Sequence, residues 1–64
     1  MYVIKLTWTI DNRPSYVARP GAEHSYTPRL EEAWVFDTRE EAKRMACPRN
    51  EVVVSVVDIM KGGR

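Results

Sequence analysis

Asp37-Thr38-Arg39-Glu40-Glu41-Ala42-Lys43-Arg44-Met45-Ala46-Cys47-Pro48 is the one stretch of this 64-residue chain whose own signals spell a helix. The Thr38 hydroxyl is placed to accept from the amide of Glu41, and Glu41 can reach back to the amide of Thr38. Glu40 and Glu41 fall in the electropositive first turn, with Lys43 and Arg44 further along, as the helix dipole favours. Pro48 has no amide hydrogen and restricts the residue before it, so the helix should end near Cys47. Ala42, Met45 and Ala46, spaced i, i+3 and i+4, form the stripe expected to be buried. A helix of about nine residues does not hold alone in water, so a sheet must hold it.

Upstream, residues 2–10 alternate. Tyr2, Ile4, Leu6, Trp8 and Ile10 share one face, expected under the helix, and Val3, Lys5, Thr7 and Thr9 share the other. Asp11-Asn12-Arg13-Pro14 has turn chemistry, and residues 15–19 read as a returning strand whose inward face is either Tyr16 with Ala18 or Val17. Pro20-Gly21 breaks that strand, residues 21–29 read as a polar loop, and Thr27-Pro28 can open a single helical turn. Residues 33–36 read as a third strand, with Trp34 and Phe36 on one side. Downstream of the helix, residues 51–60 carry valines on both parities, as expected of an interior strand with both faces at least partly covered.

The resulting expectation is one α+β domain over residues 1–64, with 61–64 a frayed tail. Its sheet has three to four strands, mainly antiparallel, with one helix packed on one face, in the order β-β-β-α-β. Pairing the last strand beside the first gives the spatial order 4-1-2-3, with those two strands parallel and a right-handed crossover between them. A chain this short buries only about 60% of the surface its unfolded form exposes, so a tight core or self-association is needed. The single cysteine makes no internal disulfide, and Cys47 with His24 falls short of a structural zinc set.

Composition narrows the functional classes. A net charge of +1 lacks the basic excess of a strongly electrostatic nucleic-acid binder, although seven of the ten basic residues are arginine, which suits local stacking and bidentate contacts. No apolar run approaches the roughly 20 residues needed to cross a bilayer, and the N-terminus lacks a signal-peptide pattern. A cytoplasmic protein is expected.

No enzyme, cofactor or metal site is expected. Glu31 and Glu32 are adjacent, so in extended chain they point apart, while Glu40 and Glu41 are explained by capping and dipole. Cys47 lies at the helix C-terminus, where a negative charge is disfavoured, and His24 is the only histidine in the chain. Gly62-Gly63 has no helix after it and forms no phosphate loop. Two surfaces remain. Val3, Thr7, Val35, Val53 and Val57 are expected to form an apolar patch on the sheet face opposite the helix, suited to a protein partner or a second copy. Arg19, Tyr26, Arg29 and Trp34 interleave charge and aromatic surface, as in weak single-stranded nucleic-acid binders.

Tyr2-Val3-Ile4-Lys5, Tyr26-Thr27, Ala33-Trp34-Val35-Phe36, Thr38-Arg39-Glu40-Glu41-Ala42 and the valine-rich end together resemble small proteins encoded by bacteriophages and mobile elements. That resemblance implies a phage-encoded cytosolic protein that binds or inhibits a host protein, and it transfers no site residues. The functional expectation is therefore a small protein-interaction module, with a homodimer as one form. The alternative is a single-stranded nucleic-acid binder.

Overall fold

Residues 1–9 and 13–62 are described by the structure, a computed structural model. Expectations for Ile10, the Asp11-Asn12 turn and the Gly63-Arg64 end lie outside the described residues. The fold is α+β, an antiparallel four-stranded sheet with helices packed on it. Its strands are β1 (Tyr2–Leu6), β2 (Tyr16–Val17), β3 (Tyr26–Thr27) and β4 (Glu51–Ser55), in the spatial order β3-β2-β1-β4. A 3₁₀ turn (Leu30–Glu32) follows β3, α1 (Arg39–Met45) precedes β4, and α2 (Val56–Gly62) follows it.

The capped helix forms as its sequence dictates. Thr38 is extended and its Oγ1 accepts from the Glu41 amide at 3.2 Å, while Ala46, before Cys47 and Pro48, is already extended and closes the helix. Ala42 is fully buried against Ile4 and Phe36, with Val17, Trp34, Ala46 and Val53 packed around them. Met45, expected in this stripe, is 53% exposed. Ala42 has no side chain beyond Cβ, so α1 sits close to the sheet along that one line and Met45 is left at its rim.

β1 ends at Leu6, and Trp8, expected beneath the helix, is 61% exposed. The lengths explain this. A seven-residue helix extends about 10 Å, while same-face residues of a strand lie about 6.6 Å apart. The cover therefore spans Tyr2 and Ile4 and runs out before Trp8.

Three expectations are corrected. The third strand is Tyr26–Thr27, and residues 33–36 pair with the sheet backbone through single bridges, Ala18 to Ala33 and Tyr2 to Phe36. Their alternation is as read, with Trp34 and Phe36 on the α1 side. The chain thus makes one more traverse between β3 and α1, so β4 runs antiparallel to β1 and the parallel crossover does not occur. Finally, residues 56–62 are helix. Val56 and Ile59, at helical i, i+3 spacing, pack on Val3, Tyr16 and Ala33 together with Leu30 and Val54. Lys61 and Gly62, expected in the frayed tail, lie in the last turn of α2.

Val3 and Ile4 are therefore both fully buried, one on each face of β1. Val3→Thr, which keeps the shape but buries a hydroxyl, should therefore lower stability by about 1–3 kcal/mol. Val52→Thr, at a 43% exposed position, should change it by less than about 0.5 kcal/mol. Equal effects in urea unfolding would show that the Val3 face is open.

Candidate functional site

The hydrogen-bond pattern of β4 determines what it offers to a partner. β1 and β4 pair in the register Tyr2 to Ser55, Val3 to Val54, Ile4 to Val53, Lys5 to Val52 and Leu6 to Glu51. Just outside the ladder, Val56 N–H donates to Met1 C=O and Thr7 N–H donates to Asn50 C=O, each at 2.9 Å. Directly opposed residues in an antiparallel pair alternate between exchanging both bonds and exchanging none. Val52 and Val54 therefore spend their backbone groups on β1, while Glu51, Val53 and Ser55 direct theirs away from it. Among the described residues no strand lies on that side, so β4 is an open edge.

Two of those outward groups are already satisfied. Glu51 N–H donates to Cys47 C=O at 2.9 Å, and Ser55 immediately precedes α2, the position whose C=O takes a helix's first intrahelical bond. Among the described residues nothing bonds the remaining outward groups, Glu51 C=O, Val53 N–H, Val53 C=O and Ser55 N–H. Alongside them runs a groove of about 390 Å³ between α1 and the edge, with Arg39, Lys43, Ala46, Pro48 and Val53 in its walls. Arg39 lies over the Tyr2 ring at 4.9 Å, so it marks the Ser55 end of this groove.

The other end is held by Glu51. Its Oε1 accepts from the Cys47 amide at 2.8 Å and its Oε2 from the Tyr26 hydroxyl at 2.6 Å. Tyr26 belongs to β3 and Glu51 to β4, so this bond joins the two outer strands across the sheet. Donating to Glu51 raises the Tyr26 pKa above the usual phenol value, with partial burial and the Glu51 charge adding to the effect.

The apolar patch expected from sequence does not form. Val3 is fully buried because α2 and Leu30 cover its face. Val53 pairs with Ile4 and lies on the opposite, α1 face. Thr7 is exposed beyond the end of β1, Val57 is exposed on α2, and Val35 is exposed beside a hollow shared with Trp34, Glu41, Arg44 and Met45. The alternative set is also divided. Arg19 and Tyr26 line a hollow with His24, Glu23 and Glu32, where carboxylates offset the basic charge. Trp34 lines the hollow beside α1, Arg29 lines neither, and the Tyr26 hydroxyl points at a carboxylate.

No protein-family model, curated protein or solved structure matches this chain. The chemistry must therefore be read from the residues themselves. Among the described residues no group of three or more His, Cys, Asp or Glu side chains could hold a metal ion, and no helix is long and apolar enough to cross a membrane. Cys47 is exposed and unpaired by disulfide, and His24 lies 3.9 Å from Glu23 on the surface. β4 is an edge strand, as the order 4-1-2-3 implies, and not the interior strand that valine on both parities suggests, because such valines mark covered faces and say nothing of the edges.

A raised folded-state pKa at Tyr26 stabilises the fold below the unfolded phenol value and is lost as pH rises through the folded value. Stability should therefore fall above about pH 10, and Tyr26→Phe should remove that part of the fall. Urea unfolding of both proteins from pH 7 to 11 checks this; identical pH slopes would rule out the Tyr26–Glu51 bond.

Proposed function

We propose that this chain is a small protein-interaction module whose binding element is the open edge of β4. The observation that carries the reading is the set of backbone groups on Glu51, Val53 and Ser55 left facing away from β1. An exposed strand edge is a template for an added strand, in which main-chain bonds supply affinity and flanking side chains supply selectivity. The composition of the edge supports this. Glu51-Val52-Val53-Val54-Ser55 contains no proline or lysine, the residues commonly used to block such edges, and Val52 is 43% exposed.

Val53→Pro is the variant that separates the edge from the fold. The Val53 N–H points away from β1, so its loss breaks no bond of the β1–β4 ladder, and proline is tolerated on edge strands. Wild-type and Val53→Pro chains used as bait in extract of the encoding organism should differ. Proteins retained by the wild type should fall at least about tenfold with the variant, equivalent to about 1.4 kcal/mol. Equal retention by both baits contradicts the edge as the binding element.

A further inference from the structure

We infer that the occupant of the β4 edge is a second copy of this chain, paired antiparallel about a two-fold axis at Val53. This inference rests on the reading of β4 as a binding edge and names its partner.

The donors and acceptors left on the edge are self-complementary. With the two-fold axis at Val53, the Val53 N–H of each copy meets the Val53 C=O of the other. The Ser55 N–H of each meets the Glu51 C=O of the other. That uses every outward group between Glu51 and Ser55 that the described residues leave unsatisfied. In the same register, the Glu51 N–H would have opposed the Ser55 C=O of the second copy. Those are the two groups already satisfied within the chain, one by Cys47 C=O and the other by α2. The two internal bonds thus remove from the edge one matched donor and acceptor, and leave no orphan when two edges meet. A partner of arbitrary sequence gains no comparable match, because its backbone would present a full ladder to an edge with two groups missing.

Side chains agree with this register. Val53 of each copy would adjoin the other on the α1 face, and Val52 would oppose Val54 on the other face, so apolar surface meets apolar surface. Charge does not oppose this register. α1 runs from Arg39, at the Ser55 end of the edge, to Met45, whose following turn is bound by Glu51. Two-fold pairing lays Ser55 of one copy beside Glu51 of the other, bringing the Arg39 end of one groove towards the Glu51 carboxylate of the second copy. The one acidic residue of the strand, its carboxylate held within its own chain by Cys47 and Tyr26, does not meet the same residue of the second copy. An antiparallel pair of this kind is closed by its two-fold axis and does not propagate into a fibre.

Sedimentation equilibrium of the purified chain, up to about 1 mM, reads the result directly. The wild type should approach twice the 7.4 kDa of one chain as concentration rises, and folded Val53→Pro should remain at 7.4 kDa. Amide hydrogen exchange of the wild type gives a second readout independent of how the variant folds. Exchange at Val53 and Ser55 should slow at least about tenfold between dilute and concentrated samples. Val52, Val54 and Glu51, already bonded within the chain, should show no such selective change. A wild type that stays monomeric, or a dimer whose mass rises without selective slowing at Val53 and Ser55, overturns the inference. If the wild type is monomeric but Val53→Pro still loses proteins retained from extract, the second copy is excluded while the edge remains a binding element.

Discussion

The antiparallel pairing of β1 with β4 is the constraint on which the rest of this small protein depends. Five residue pairs bring the chain's first strand against its last, and both covers of the sheet are tied to them. Ile4 and Val53 form the floor on which Ala42 of α1 rests, while Val3 and Val54 form the floor for Val56 and Ile59 of α2. A chain of this length has little apolar surface to bury. Using both faces of one central strand gives two small clusters from residues that a single-sided sheet would have left wet. Alanine supports the arrangement at Ala18, Ala33 and Ala42, all buried, by letting neighbouring segments approach closely.

Much of this was legible in the residues. Thr38 and Pro48 mark the ends of α1 through chemistry local to the helix, so neighbouring structure does not alter the reading. The β-β-β-α-β class follows from the alternation in residues 2–10, the breaks at Pro14 and Pro20-Gly21 and the capped helix, and setting the two most apolar strands, first and last, side by side gives the observed β1–β4 neighbours. What failed depended on tertiary contacts. Tyr26–Thr27 is too short and too polar in its surroundings to read as a strand, yet it pairs with β2. Missing it moved the third strand to residues 33–36, removed one chain reversal and so inverted β4. Val56-Val57-Asp58-Ile59 favours strand by its β-branched side chains. Its i, i+3 pair finds the Val3 face uncovered, and packing there overrides that preference.

The candidate site follows the same division. Val53 and Val57 were readable as valines with work to do, but which face each takes is set by strand direction and by where β4 becomes helix. Inverting β4 and ending it at Ser55 places Val53 with Ile4 and puts Val57 on α2. The open edge is a property of hydrogen-bond phase, which side-chain patterns do not encode. Monomeric proteins commonly protect such edges with charge, proline or a covering loop. Here the strand carries one charge, and that carboxylate is turned inward to Cys47 and Tyr26.

The phase of the β1–β4 ladder therefore carries the account. Residues opposed without exchanging bonds bring their Cα atoms to about 4.5 Å, against about 5.5 Å for bonded pairs, so their Hα atoms give strong nuclear Overhauser contacts. The measurement is the set of Hα–Hα contacts between the two strands in solution. Strong contacts for Tyr2 with Ser55, Ile4 with Val53, and Leu6 with Glu51 are predicted. Strong contacts instead for Val3 with Val54 and Lys5 with Val52 would turn the outward groups onto the wrong residues and contradict it.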